Sequence, residues 1–597
     1  MSKFTFFRPS VVVLTLLSCV ASFTTYLIAD SSMRGLDLTD EGMYLLSATT
    51  SNRHAAFHNP FADYTSPLLS LSFQKVWLFR LFGLVLLCAM SFILGLRIST
   101  FVSPTKTFSR HIFGLVGLTI PFSYYATGLI TPSYNWLNIL ALTLGGIACV
   151  ELLHRRQLGW SDAWLVGIVG ALAIWVGLFA KATTAPGILV LLIFTLLVSR
   201  SNVVSWIRLI CTGICTTLCM FVVHILFVES VSITLEKLHR GHEILVLLDP
   251  GYTLQRTLDN FFWGLKEWSR QSFTLHTGST VLMICAAVFT VIIKILRATG
   301  RNVHGRSVFT ILSTLALLIS MLMSFKAGLW AGYSEKYINQ MWAASGLLTI
   351  SILMAGLRTL LGSPTLNLQK WWCAILCVVL AILYAIGSGN GFIAQLTGAV
   401  GFLNLAAMIL SGEADFHRAI ARPVLATCVL LGALFVTQQA KIHPYRQPPR
   451  SLQTTSLDLE GNHGSVYVAP DFAEMVTKLR RDLSGSGWKS GSPLLDLTSY
   501  SAGIVFLLGG KSPLTIIPTV GLYPTVDVVA RWSLNKTFQD DVTWRNSWLL
   551  LPTNAEKEPP QGRPNPSILE EIGRTFPADY VQAAEAGGYT VWKPKGP

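Results

Sequence analysis

Long apolar runs separated by short polar stretches dominate the chain as far as residue 440. A helix needs about 20 apolar residues to cross about 30 Å of hydrocarbon. Runs near this length fall at 10–29, 76–97, 111–128, 134–152, 163–180, 185–199, 206–228, 278–297, 307–325, 341–361, 371–388, 394–411 and 423–439. The pattern predicts an all-α polytopic membrane domain of about thirteen transmembrane helices. Two of them, 163–180 and 185–199, are parted by little more than Lys181-Ala182-Thr183-Thr184. The first run follows Lys3 and Arg8 in the manner of a signal peptide. It is too long for a usual signal core and no small-residue cleavage site follows, so it reads as a retained span.

Beyond residue 440 the pattern changes. His443-Pro444-Tyr445-Arg446-Gln447-Pro448-Pro449 has the composition of a linker. After it, 465–468, 493–497, 514–517 and 547–551 read as strands, while 471–483, 501–508, 525–538 and 567–576 read as helices. Such alternation predicts a small α/β domain with a mostly parallel sheet. Ser484-Gly485-Ser486-Gly487 follows a helix, which makes it a turn and not a phosphate cradle. The chain thus divides into a membrane domain, 1–440, with polar loops at 30–75 and 229–277, and a C-terminal domain, 441–597. Within the second loop, Leu254, Leu258, Phe261, Phe262, Leu265 and Trp268 recur at helical spacing, with Arg256, Lys266 and Arg270 facing away. That fits a helix lying in the membrane interface.

Composition agrees with a membrane protein: 52% of residues are hydrophobic and 13% charged, against about 25% charged in soluble domains. The net charge of +14 follows from positive loops on the cytoplasmic side, not from nucleic-acid binding, which would need a basic soluble domain with interleaved aromatics. All ten cysteines lie in apolar stretches, so neither a disulfide framework nor zinc spacing is present. Lys and Arg collect at alternate loops, among them Lys106 and Arg110, Arg155 and Arg156, Arg200 and Arg208, and Arg418 and Arg422. With those loops inside, the loops 30–75 and 229–277 and the C-terminal domain face the extracytoplasmic side. Short loops and the lack of disulfides favour a bacterial inner membrane.

The candidate chemistry lies at the outer ends of the spans. Asp37, Asp40 and Glu41 follow the first span. On one helix, their offsets of three and four place them on a single face, where mutual repulsion raises at least one pKa. A carboxylate so tuned can take a proton from a hydroxyl. The competing reading is helix capping, with Asp37 or Thr39 as cap and Asp40 and Glu41 favouring the dipole; Asp37 can cap while Asp40 reacts. Further on, Arg80 lies about a turn inside the second span, where it either snorkels or takes a partner, a lipid phosphate or one of the acids. Lys75 is placed to snorkel. Lys181, alone between two spans, suits either a phosphate or snorkelling. Two more turns are polar: 326–340, with Tyr333 and Lys336, and 387–391, with Asn390 as a sugar ligand or part of a tight turn.

Four features, in order, resemble the GT-C class of integral-membrane glycosyltransferases, in particular the protein O-mannosyltransferases and the lipid A aminoarabinose transferases. They are Asp40-Glu41 in the first outer loop; Tyr64-Thr65-Ser66-Pro67-Leu68, then Arg80-Leu81-Phe82-Gly83; Gly177 to Lys181; and many spans leading to an outer soluble domain. The resemblance covers the membrane region to about residue 410 and the C-terminal domain only by position. It implies an inverting enzyme in which Asp40, with Glu41 beside it, activates the acceptor. It also implies a polyprenyl-phosphate-linked sugar donor, drawn from the lipid bilayer, and a glycan or lipid acceptor. Asp37, Tyr64, Tyr333 and Asn390 join the binding site on this reading. The aminoarabinose transferases carry Lys-Pro-Pro-Leu where this chain has Thr65-Ser66-Pro67-Leu68. The phosphate contact then falls to Lys181, Arg80 or Lys336. No cofactor is required, and a divalent metal ion is admitted. The competing classes are a transporter or flippase and a non-catalytic assembly subunit. Charge-poor span centres speak against transport.

Overall fold

The computed structural model describes residues 9–596 except 50–59, 103–106, 127–128, 156, 182, 200, 249–253, 276–280, most of 282–332, 361–367, 388–390, 412–414, 499–500, 513–525, 541 and 554–565. The described chain is mostly helical. Eight of its helices are long and apolar enough to cross a membrane: Ser10–Ser31, Val76–Val102, Tyr134–His154, Trp160–Ala180, Val203–Phe227, Leu368–Ala385, Phe392–Leu410 and Arg422–Ile442. Thr184–Ser199 and Met341–Leu353 are apolar but shorter. The run 111–128 is not one helix. It divides into α5 (Thr107–Gly117) and α6 (Thr119–Ala126), and Pro121 in the first turn of α6 has no N–H with which to continue a preceding helix. The expected spans 278–297 and 307–325 fall largely outside the described residues.

The bundle is built around α7 (Tyr134–His154), whose span is the most enclosed of the eight. Gly145 and Gly146 let Ile188, Leu94 and Leu380 approach its backbone, the small-residue packing by which helices associate in lipid. α1 (Pro9–Ser31) runs beside the last span and ends with it, where Lys441 Nζ bonds Asp30 Oδ2 at 2.8 Å. The opposite end of the bundle is arginine-rich. There Arg97 and Arg155 share Glu151 at 3.0 and 3.3 Å, and Arg155 also pairs with Asp162. Arg208 caps Leu158 O at 2.7 Å, and Arg422 donates to Ser109 Oγ at 3.0 Å.

The C-terminal domain grips the Asp30 end. β1 (Thr455–Asp458) and β2 (Ser465–Val468) form an antiparallel pair. The loop after α1 adds to its edge: Gly35 N donates to Tyr467 O at 2.7 Å, and Tyr467 N to Met33 O at 2.8 Å. The β1–β2 turn sits on the start of α4 (Val76–Val102), where Val76 N donates to His463 O at 3.0 Å. Lys75 reaches the β1–β2 turn. Its ammonium is held by Asn462 O and Oδ1 at 2.9 and 2.5 Å.

A second sheet has the order β3-β4-β6-β5, from Leu494–Asp496, Trp548–Pro552, Tyr589–Pro594 and Tyr580–Ala586. Among the described residues only β3 and β4 pair in parallel; β4 with β6 and β6 with β5 are antiparallel. The described sheet is therefore mostly antiparallel, against the mostly parallel one expected. The reason is the terminal hairpin, turned by Gly587 and Gly588 at φ 59° and 84°, which slots β6 between β4 and β5. Strand-like 514–517 lies outside the described residues, and the run 567–576 forms a 3-10 helix, Pro566–Ile572.

The two domains also meet glycine on glycine. Gly42, in α2 (Asp40–Thr49), faces Gly503 of the helix Ala502–Leu507, and a Cβ on Gly42 would lie 2.3 Å from Gly503 N. Gly503 N also donates to Leu38 O at 2.8 Å. Gly42→Val is expected to cost about 1–3 kcal/mol by overpacking. Limited proteolysis should then cut the 443–449 segment faster than in the parent protein.

Candidate functional site around the first helix turn of α2

The three acids separate into three roles. Asp37 precedes α2 and caps it. Its carboxylate accepts Glu41 N at 3.2 Å and the Thr39 hydroxyl at 2.8 and 3.0 Å, while Asp37 N donates to Glu41 Oε2 at 3.0 Å. This reciprocal exchange satisfies backbone donors that a helix start leaves open. Burial, the largest influence, pushes the Asp37 carboxyl up to about 6, with Asp40 and Glu41 adding and the Thr39 and Glu41 hydrogen bonds opposing. The sign follows from linkage. A folded carboxyl that holds its proton more tightly than the unfolded one destabilises the fold as pH rises through the gap. Stability should therefore fall between pH 3.8 and about 6. Asp37→Asn keeps a capping oxygen, and a thermal-unfolding series over that range should come out flatter.

Glu41 is spent on a buried clamp. Its Oε1 meets Arg80 Nη2 at 2.9 Å and accepts Thr131 Oγ1 at 2.5 Å. The Arg80 side chain is 0% exposed. Besides Glu41 it donates to Ser32 O at 3.0 Å, Gly35 O at 3.0 Å, Arg34 O at 3.5 Å and Thr131 Oγ1 at 3.2 Å. Of the two partners expected for it, Arg80 takes the acid. Its guanidinium is committed to the loop that carries the acids and is not turned to a lipid phosphate. From the other side, buried Arg450 donates to Arg34 O at 2.7 Å and to Gln447 and Gln453 at 3.1 and 2.9 Å. Burial pulls its guanidinium down to about 10. Gly35 makes room for this double clamp. It sits at φ 68°, and a Cβ there would fall 2.2 Å from Arg450 Nη1.

Asp40 differs from both. Its side chain is 22% exposed. Tyr445 OH donates to Oδ2 at 2.9 Å, and Arg446 Nη1 stands 3.7 Å from the same oxygen. Arg446 also donates to Thr39 Oγ1 at 2.6 Å, which links it to Asp37. The described residues engage Oδ2 alone, leaving Oδ1 for another hydroxyl. Tyr445 and Arg446 lie in the segment whose prolines mark it as a linker, and that composition masked them.

Lys181 ends α8 (Trp160–Ala180) and is buried. Its Nζ donates to Tyr384 O at 3.1 Å and lies 5.1 Å from the Tyr384 ring centroid. It has no hydrogen bond or ion pair with Asp37, Asp40 or Glu41. Tyr44 of α2 packs edge-on to Tyr134 at 6.0 Å.

Tyr64, in α3 (Ala62–Leu71), belongs to another cluster. Its hydroxyl accepts Trp175 Nε1 at 3.1 Å and lies 2.9 Å from His224 Nδ1, and its ring is 4.3 Å from that of Phe179. Next to it Lys237 of α11 (Val231–Leu248) bridges Asp63, at 2.8 Å, and Glu229. Tyr333 and Lys336 begin the helix Tyr333–Leu360, but their side chains lie outside the described residues, as does Asn390 entirely. The amphipathic α12 (Leu254–Leu275) packs by Phe261 on Phe392 and by Trp268 Nε1 on Ser345 Oγ at 2.7 Å; Leu258 and Phe262 remain exposed with Trp263.

Asp37, Asp40 and Glu41 turn to separate partners, and among the described residues no three His, Cys, Asp or Glu side chains group to hold a metal ion. Among the described residues, the donor set around α2 does not fit a divalent ion. No protein-family model and no curated protein matches the chain.

Proposed function

We propose that this membrane protein is an inverting glycosyltransferase that moves a sugar from a polyprenyl-phosphate donor to a cell-envelope glycan or lipid on the extracytoplasmic face. One observation carries the reading. Of the three neighbouring acids, two are consumed by capping and by the Arg80 clamp, while Asp40 keeps solvent access and an oxygen that the described residues leave unengaged. In the proposed step the acceptor hydroxyl gives its proton to Asp40 as its oxygen bonds the anomeric carbon. The bond from that carbon to the phosphate oxygen breaks, and the lipid phosphate leaves with the electron pair. A phosphate leaving group needs cations more than a general acid. Lys181 and Lys336 remain candidates for that contact, since Arg80 is committed elsewhere. The arginine-rich opposite end supports placing α2 and the C-terminal domain outside.

The test is a comparison of polyprenyl-phosphate sugars and envelope glycans with and without this protein. Loss of the protein should raise one lipid-linked sugar and remove one glycan substituent. Unchanged levels of both would remove the reading.

A further inference from the structure

We infer that Tyr445 and Arg446 are positioning residues for Asp40, supplied by the junction of the two domains, so that the reactive carboxylate is set only when the C-terminal domain is docked. The inference rests on the glycosyltransferase reading.

Both side chains turn back from the linker onto the start of α2. The Tyr445 hydroxyl donates to Asp40 Oδ2 at 2.9 Å, and the Arg446 guanidinium lies 3.7 Å from that oxygen and 4.7 Å from the Tyr445 ring centroid. Two groups on one oxygen fix the rotation of the carboxylate and present its other oxygen outward. Burial holds the Tyr445 hydroxyl well above the usual phenol range, with Asp40 adding to the effect. The hydroxyl therefore stays protonated and remains a donor. A passive tether would leave such side chains in water.

The backbone at this point is built, not loose. Arg446 adopts φ 50°, a left-handed conformation uncommon for a residue with a side chain, and one that persists only where its surroundings impose it. Those surroundings are specific. Arg450, four residues on, is buried and locked to Arg34 O, Gln447 and Gln453. Gln453 Nε2 in turn donates to Pro448 O at 2.8 Å. Upstream, Lys441 is tied to Asp30. The same domain holds α2 from the side through Gly503 and Leu38. Docking therefore fixes α2 and the turn that reaches Asp40 together.

The test uses the full-length protein in lipid nanodiscs. The donors are synthetic undecaprenyl-phosphate mannose, glucose and arabinofuranose with labelled sugars, and the acceptor is a native envelope fraction. Tyr445→Phe should lower kcat about tenfold or more, the worth of a hydrogen bond to a charged group, and Arg446→Ala should lower it by about two- to fivefold, the worth of a partly exposed ion pair. Donor KM should stay within about twofold, because the interaction acts on the reacting carboxylate and not on donor binding. Arg446→Lys should recover part of the loss. A substrate-free readout runs beside it: modification of Asp40 by a carbodiimide with glycine ethyl ester, followed by peptide mass spectrometry. Losing either group should speed that modification several-fold. Wild-type kcat in both variants, or an unchanged modification rate in both, overturns the inference. Asp40→Asn is the control that separates the two claims. If it consumes donor at the wild-type rate, the glycosyltransferase reading itself falls.

Discussion

Asp40→Asn is expected to abolish sugar transfer while leaving the protein folded. General-base catalysis contributes about 10²–10⁴-fold, and an amide cannot take the acceptor's proton. Stability should barely change. The side chain is partly exposed, and asparagine still offers an oxygen to the Tyr445 hydroxyl. The 3.7 Å pairing with Arg446 is a partly exposed one, of a kind worth about 0–1 kcal/mol. Thermal unfolding in detergent should match wild type, donor binding should persist, and single-turnover transfer should be lost. Retained transfer, or a large drop in unfolding temperature, would place Asp40 among the structural acids with Glu41.

Arg80→Ala is expected to do the reverse. Removing one member of a buried ion pair strands the other and costs about 3–5 kcal/mol. Here the loss also strands the carbonyls of Ser32 and Gly35. Arg80→Lys should rescue little. A single ammonium cannot reproduce a planar fork that serves a carboxylate, a hydroxyl and three carbonyls at once. Adding Glu41→Gln to Arg80→Ala should return part of the stability, because the uncompensated carboxylate is gone. Unfolding temperatures at one scan rate, compared around this double-mutant cycle, give the measurement. An Arg80→Ala protein with unchanged unfolding but lost donor binding would return Arg80 to the phosphate.

The eight helices long and apolar enough to cross a membrane were legible because each must supply enough apolar residues by itself, a local requirement. α8 and α9 (Thr184–Ser199) separate at Lys181 as the sequence suggests. The break at Pro121 was legible in principle but hidden by the continuous apolar run. The strand Ser465–Val468 also follows from its residues. Sheet direction does not, since it depends on where the last hairpin inserts. Gly587-Gly588 was the available signal for that hairpin.

The candidate site was legible only as a list of residues. Sequence spacing brings Asp37, Asp40 and Glu41 together but cannot tell capping from chemistry. That distinction is made by partners far along the chain: Arg80, Thr131, Tyr445 and Arg446. The fate of Arg80 was the least accessible, because most of its partners are backbone carbonyls, which have no sequence signature. Tyr64 and Lys181 likewise acquire their surroundings from α10 (Val203–Phe227) and the helix Leu368–Ala385.

Asp40 can meet a lipid-linked sugar outside the cell only if the C-terminal domain packed against it lies outside as well. Lys489 is an exposed residue of that domain, so Lys489→Cys offers a direct probe. A membrane-impermeant maleimide applied to intact spheroplasts should label this variant above the background of the unsubstituted protein. Labelling that appears only after the membrane is permeabilised would put Asp40 in the cytosol and contradict the proposed reaction.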